Sequence, residues 1–396
     1  MEVIIGGKGA PTPEKRPSLP VRLLVFLVTV CLVLAAVALV AFREQINFDA
    51  VRRWYAYRDL ERSESGQAES FVVDIGLADL CSAVGSDLLL CSSRAGIRLY
   101  SDSGTLYVNR AAALERPVGA ACGKYAVVYD AGGQDLYLYT EREEIFTLSL
   151  PQTQSLISAA VNQHGWLAVV RQESGTRGVI AVYNGSHRPV AEVRLSSRFV
   201  MDAAVSPDNR SVAVLTIGLT GGSFECRVDL YRLDGGGGDG PDWSCSLDNN
   251  TVLDLRWDSD GIWALGESAL SLVSPAGTVA GSYSYGGRYL KDFSLDGENG
   301  AVLLLGKYRA GSSSELSTVS PDGSLRASLA LEEQVLSLAA AGRYVAVLTA
   351  DRLDVYNLDL KLYASLEGTR GARQVLLRDD GTALLVGADS ARLFIP

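Results

Sequence analysis

From Phe71 onward the chain repeats itself about every 42 residues, and a period of that size leaves few folds open. The repeat shows best in short apolar runs: LLLC from Leu88, YAVVY from Tyr125, WLAVV from Trp166, VAVL from Val212, IWAL from Ile262, VLLL from Val302, YVAVL from Tyr344 and ALLV from Ala383. With Leu384 as the match in the last run, their spacings are 37, 41, 46, 50, 40, 42 and 40 residues. Each run is too short for a buried helix and rich in strand-forming residues. A further run ending in an aromatic or apolar residue follows most of them: IRLY at Ile97, LYLY at Leu136, IAVY at Ile180, VDLY at Val228 and LDVY at Leu353. Between runs stand Ser206-Pro207-Asp208-Asn209, Asp260-Gly261, Asp296-Gly297, Ser320-Pro321-Asp322-Gly323 and Asp379-Asp380-Gly381, in which Gly and Asn supply positive φ and Pro presets its neighbour. Four short strands per period predict an all-β propeller of eight four-stranded blades, with seven as the alternative if one weak period is an insertion.

The final period stops after its third strand, Arg392 to Ile395, while an unassigned strand, Phe71 to Ile75, precedes the first period. Together these predict that the N-terminal strand completes the last blade as its outermost strand, closing the ring and covering an edge that would otherwise invite aggregation.

What precedes the repeats is different in kind. Leu23 to Phe42 is twenty residues without a charge, long enough as a helix to cross the ~30 Å hydrocarbon core of a bilayer. A cleaved signal peptide fits less well, because the run is longer than an ordinary apolar core of one and leaves through Phe42, Arg43 and Glu44. The lipid bilayer is therefore an expected partner through Leu23 to Phe42. Residues 1–22, broken by Gly6, Gly7, Gly9, Pro11, Pro13, Pro17 and Pro20, read as a disordered cytoplasmic tail. Residues 43–70 read as a juxtamembrane amphipathic helix, with Phe48, Val51, Trp54, Tyr55 and Tyr57 among Arg52, Arg53 and Arg58, lying at the bilayer surface or equally docked on the following domain, then a polar linker from Arg62 to Ser70. Residues 71–396 are the propeller. Positive charges flanking the span balance, and a long following domain translocates largely regardless of charge, so the expected topology is single-pass in the plasma membrane, N-terminus cytoplasmic and propeller outside.

Beyond residue 70 the chain carries 27 Lys and Arg against 38 Asp and Glu. An acidic domain with no basic stripe excludes nucleic acid as an expected partner. His164 and His187 fall in predicted turns away from any cluster of ligand residues, so neither a zinc site nor a histidine triad is expected. Asp258-Ser259-Asp260-Gly261-Ile262 fails as a calcium loop at its fifth position. No metal and no cofactor are expected.

The Leu-x-Val/Leu-Tyr third strands and Ser-Pro-Asp turns resemble the WD40-like and quinoprotein-like propeller families across the whole span from Phe71. With a short tail, one helix and Arg52-Arg53-Trp54 beside it, the chain is similar to an uncharacterised family of membrane-anchored propeller proteins of Gram-positive bacteria. Trp257-Asp258 is the one Trp-Asp pair and the five tryptophans are not periodic, so the resemblance implies no quinone and carries over no catalytic residue.

Two sets of residues stand out within the propeller. Cys81 would face Cys91 if Gly85-Ser86-Asp87 closes the first hairpin, and Cys226 and Cys245 lie on adjacent strands, so each pair is a candidate disulfide against the plainer reading of packed thiols. The repeat also swells between second and third strands at Gln172 to Gly178, Gly218 to Phe224 and Lys307 to Ser314. Such connections emerge on one face of a propeller, where insertions often mark the binding side; Arg171, Arg177, Lys307, Tyr308 and Arg309 would make that face locally basic and aromatic. The expected function is a tethered module that binds a protein or glycan of the cell envelope. The competing expectation is an extracytoplasmic hydrolase or lyase, or a degenerate quinoprotein, working through carboxylates at the central channel.

Overall fold

The computed structural model describes residues 26–31, 33, 49–58, 60–76, 78–234 and 240–396. It divides into two compact units, Met1–Ala56 and Tyr57–Pro396. In the first, residues 26–31 and 33 are helical, and the remainder of Leu23 to Phe42 lies outside the described residues, as do the expected tail and the Gly235 to Gly238 run. No helix among the described residues is long and apolar enough to cross a membrane. Helix α1, Asp49–Ala56, leaves Val51, Trp54 and Tyr55 exposed at the i, i+3, i+4 spacing of one helical face.

The second unit holds, among the described residues, eight four-stranded antiparallel sheets. The eight-blade expectation therefore stands and the seven-blade alternative falls: every period supplies its own sheet, including the long one that carries the glycine run. The innermost strands, in order from blade 1 to blade 8, are Leu80–Val84, Pro117–Cys122, Gln154–Val161, Phe199–Val205, Val252–Trp257, Tyr289–Ser294, Ser337–Ala341 and Ala372–Leu377.

Alternation along the second strands explains why they read as unbroken apolar runs. Leu88 and Leu90 point into the junction with blade 8, while Leu89 and Cys91 point into the junction with blade 2. Tyr344, Ala346 and Leu348 pack toward blade 8, and Val345 and Val347 toward blade 6. A strand buried on both faces has no polar side to show. Eight apolar clusters result, one at each blade junction, from that around Leu99 and Val128 between blades 1 and 2 to that around Leu384 and Leu393 between blades 8 and 1. The Asp inside VDLY and LDVY is satisfied within its own sheet: Asp229 accepts from Ser244 Oγ at 2.6 Å and Asp354 from Ser365 Oγ at 2.6 Å.

Ring closure follows the predicted scheme. Phe71–Val72 pairs antiparallel with Ser390–Phe394, as the outermost strand of a sheet whose other members are Ala383–Gly387 and Ala372–Leu377. The expected polar linker is more ordered than a linker. Ala68 N–H donates to Leu393 O at 2.9 Å and Ile395 N–H to Gly66 O at 2.9 Å, which lengthens the closing strand beyond its two formal residues. Gly66 has φ +80°, and a Cβ there would meet the Ile395 carbonyl at 2.4 Å, so no other residue fits without a shift. Arg378 fastens the seam: its guanidinium donates to Tyr57 Oη at 2.6 Å and to Ser86 O of blade 1, and lies 3.5 Å from Asp102.

Leu393, Phe394 and Ile395 are all buried. Loss of each costs ~3 kcal/mol, so deleting residues 392–396 removes an amount on the scale of a domain's whole stability. The truncated chain should show no cooperative thermal transition by circular dichroism, and Leu393→Ala should lower urea stability by ~3 kcal/mol. An unchanged melting temperature in the truncation would refute closure by this strand.

Candidate functional site

Strand direction sorts every connection onto one of two faces. The chain enters the ring where Gly66 meets Ile395, on the face that carries the turns between first and second and between third and fourth strands; we call this the lower face. The second-to-third connections and the links between blades lie on the upper face, at the opposite end of the axis.

The three swollen connections behave differently. In blade 4 the stretch from Gly218 to Phe224 is strand: Ser211–Thr220 and Ser223–Arg232 pair in register up to Thr220↔Ser223, leaving Gly221-Gly222 as a two-residue turn. This hairpin outruns its neighbours, since the innermost strand pairs only as far as Phe199↔Ile217. Glu225 staples it: its carboxylate accepts from Ser246 Oγ at 2.6 Å, Thr220 Oγ1 at 2.7 Å, Arg227 at 3.0 Å and Arg198 at 3.1 Å. Those bonds, from Ser246 and Thr220 foremost, hold it down at about 2, well below the ordinary glutamate range. In blade 6 residues 307–313 form a true loop, and in blade 3 only residues 174–177 lie between strands.

Of the predicted patch, Arg171 does not reach the surface. It sits in the strand Leu167–Glu173, buried, 2.7 Å from Glu192 and 3.6 Å from Glu173, and its hydrogen bond holds the Glu192 carboxyl below its usual range. Arg177 lies over the Phe199 ring at 4.4 Å, beside blade 4. Arg309 lies over the Tyr289 ring at 5.3 Å and 3.6 Å from Glu267, beside blade 5, and Lys307 stands 5.5 Å from the Tyr308 ring. The patch thus resolves into two cationic groups that flank blades 4 and 5.

The cysteine pairings meet a register one residue away from expectation. Val84 pairs with Asp87, Cys81 with Leu90 and Leu80 with Cys91, so Gly85-Ser86 alone makes the turn and Cys81 and Cys91 point to opposite faces of the sheet. Cys226 and Cys245 share a face but are offset diagonally, because Cys245 opposes Val228. Diagonal neighbours lie ~7–8 Å apart, beyond ordinary disulfide reach. All four thiols are free. Burial pushes those of Cys81 and Cys91 up to about 12, so neither is a thiolate nucleophile at neutral pH. His187 lies in a turn as expected, half-buried there by stacking on Phe146 at 5.3 Å, and burial lowers its pKa.

Sequence reading missed a feature of the axis. The innermost strands of blades 3, 4, 5, 6 and 8 shift register at one equivalent position, placing Ser158, Asp202, Asp254, Asp292 and Gln374 directly after a bulged residue. Each Asp accepts from the next N–H: Ala203 at 2.8 Å, Leu255 at 2.9 Å and Phe293 at 2.9 Å. Contacts then run between blades, from Ser158 Oγ to Asp202 at 2.6 Å and from Leu338 N–H to Asp292 at 3.2 Å. The aligned segments VMDA, VLDL and LKDF carried the signal: a recurring Asp two residues after an aliphatic one.

These carboxyls line the channel, where a side chain keeps some accessible surface yet is surrounded by protein at longer range. Burial, reinforced by Asp254, pushes Asp202 up to about 7 against the opposing Ser158 bond; burial also raises Asp254 and Asp292. Because the folded pKa of Asp202 exceeds the unfolded value of 3.8, the folded state binds the extra proton, and stability falls as pH rises from about 4 to about 7. Asp202→Asn should match the parent at pH 4 and exceed it at pH 8 by up to ~4 kcal/mol in urea unfolding; parallel pH profiles would refute this. Among the described residues no group of three or more His, Cys, Asp or Glu could hold a metal ion.

The propeller finds counterparts among solved structures. The C-terminal WD40 domain of Sif2 is similar at a TM-score of 0.59 and 14% identity, over 83% of this chain and 98% of that one. BamB from Moraxella catarrhalis is similar at a TM-score of 0.49 and 15% identity, over 83% of this chain and 97% of that one. At such identities the likeness to Sif2 speaks for the fold alone, and no curated protein matches the sequence. Residues 82–387 match the model of a family of unknown function, DUF5711, and the chain belongs to that family of uncharacterised propellers.

Proposed function

We propose that this chain is a membrane-tethered, extracytoplasmic scaffold of the kind anchored in Gram-positive bacteria, and that its upper face binds a protein of the cell envelope. The observation that carries the reading is the division of labour between faces. The chain joins the ring on the lower face, whereas the overhanging hairpin, the blade 6 loop, Arg177, Lys307, Tyr308 and Arg309 all stand on the upper one. A tether at one end leaves the other end open to a partner.

The uncharged run Leu23 to Phe42 supports a bilayer span, and the exposed Val51, Trp54 and Tyr55 stripe of α1, beside Arg52, suits a helix at the bilayer surface. In this reading residues 1–22 are cytoplasmic, 23–42 cross the membrane, 43–70 connect, and 71–396 form the external propeller. A glycan is the less favoured partner, because the exposed Leu219 and Leu253 among the aromatic residues of the upper face offer a sugar no hydrogen bond. A second reading, an enzyme, draws on Asp202, whose near-neutral titration suits a general acid; its bonds to Ser158 and Ala203 fit an inter-blade fastener better.

Benzoylphenylalanine placed in the full chain at Lys307, Glu332 or Arg370, on the upper face, should form protein adducts in intact cells; at Asp208, Asp322 or Asp379, on the lower face, it should not. Adducts from the lower face alone, or from neither face, would overturn the reading. Protease added to intact cells should digest the propeller, and its protection would reverse the topology.

A further inference from the structure

Blade 5 is low where its neighbours are high. Its second and third strands, Ile262–Gly266 and Ala269–Val273, are joined by Glu267 and Ser268 alone. That turn is pinned down: Glu267 N–H donates to Thr251 O at 2.8 Å, Ser268 Oγ to Asn250 Oδ1 at 2.9 Å, and Tyr285 N–H to Ser268 O at 2.9 Å. Gly266 permits this closeness, since a Cβ there would meet the Asn250 amide at about 2.1 Å. On one side rises the blade 4 hairpin and on the other the blade 6 loop, so the upper face carries a groove across blade 5.

The walls of the groove are apolar. Leu219 and Phe224 are directly opposed and therefore share a side of the hairpin. It is the side of Ile217 and Cys226, which pack into the cluster that blade 4 shares with Leu255, Ile262 and Ala264 of blade 5. The two tip residues extend this junction upward, past the ring, with nothing over them. Leu219 is 67% exposed, Phe224 68%, Tyr308 of the far wall 64%, and Leu253, thrown outward by the blade 5 bulge, 58%. Four such side chains on three consecutive blades are a patch, whereas single exposed apolar residues are ordinary.

Charge identifies the occupant. The blade 6 wall carries Lys291, Lys307 and Arg309 against Glu267 of the groove floor, while Arg288 is matched by Glu315, on a domain that is otherwise strongly acidic. Leu219 and Leu253 offer a sugar ring neither a π face nor a hydrogen bond, whereas all four side chains, Phe224 and Tyr308 included, bury well against peptide side chains. We infer that the blade 5 groove binds an extended, acidic segment of the partner protein, its apolar side chains between Leu219, Phe224, Leu253 and Tyr308 and its carboxylates toward Lys307 and Arg309. This rests on the upper-face reading above and specifies its ligand.

The test uses the purified full-length chain and two labelled probes of about ten residues, one alternating Asp with Leu and Phe, the other with Lys in place of Asp, read by fluorescence anisotropy. The acidic probe should bind at least about tenfold more tightly, and more weakly as salt is raised. Leu219→Ser with Phe224→Ser, and separately Arg309→Glu, should each weaken it about tenfold, while Leu362→Ser on blade 7 should not; circular dichroism melting checks that each variant is folded. Equal binding of the two probes, or unchanged binding by folded groove variants, would overturn the inference. So would a doubled mass by light scattering that the Leu219 and Phe224 changes abolish, since the occupant would then be a second copy, and so would displacement of the acidic probe by a neutral oligosaccharide. If the groove fails while adducts still form from Glu332 or Arg370, the upper-face reading survives; if no upper-face adduct forms, that reading fails as well.

Discussion

A ring of sheets has one edge too many until its two ends are joined. The third strand of blade 8, Ser390–Phe394, would present a free edge at the end of the chain were Gly66 to Val73 not laid along it. Everything else in the propeller depends on this pairing, because each blade buries its faces only against its neighbours, and the series of apolar junctions has no cap except its own return to the start. Phe71 does part of this work from the side, its ring 6.3 Å from that of Tyr100 in blade 1 while its backbone pairs in blade 8. Arg378 does another part, reaching from blade 8 to Ser86 and Asp102 of blade 1 and to Tyr57 of the incoming chain.

That closure was legible in the sequence because it is a matter of counting: a period short by one strand at one end and a spare strand at the other. The second and third strands were legible for a different reason, since burial on both faces forbids polar residues and leaves runs such as VLLL and YVAVL. What could not be read were features in which one residue more or less changes the outcome. The turn after Val84 has two residues rather than three, and this slip alone moves Cys81 and Cys91 to opposite faces. Gly218 to Phe224 looked like a loop because a hairpin that overhangs its sheet has no neighbours to demand an apolar pattern, yet Leu219 and Phe224 pair in register. Arg171 looked like a surface cation, and only the fold shows that it is buried and that Glu173 and Glu192 cover it.

The polar residues of the axis illustrate how a repeat can hide a functional-looking feature. Bulges recur at one level of five innermost strands, and a bulge leaves a backbone N–H without a ladder partner, which the carboxylates of Asp202, Asp254 and Asp292 take up. Seen one at a time these are buried acids with raised pKa values, the usual mark of a catalytic group. Seen together they are the same local solution applied blade after blade, with Ser158 and the Leu338 N–H joining one blade to the next.

The same bulges have an outward consequence that ties the axis to the surface. Met201 and Leu253 are the extra residues in blades 4 and 5, and both are exposed because the bulge turns them away from the sheet. Phe199 and Tyr289, near the upper ends of the innermost strands of blades 4 and 6, are exposed too, and each is covered by an arginine from a second-to-third connection, Arg177 over one and Arg309 over the other. An arginine laid on an exposed ring shields part of its apolar face while keeping a charge available to an anionic partner. Apolar surface and cations are thereby brought together on blades 4 to 6 of an acidic propeller, on the face the chain does not enter. The axis fasteners, the exposed rings and the overhanging hairpin are in this sense one construction, centred on blades 4 to 6, tied to blades 3 and 7 by Ser158 and Leu338, and supported by a ring that closes on the opposite side.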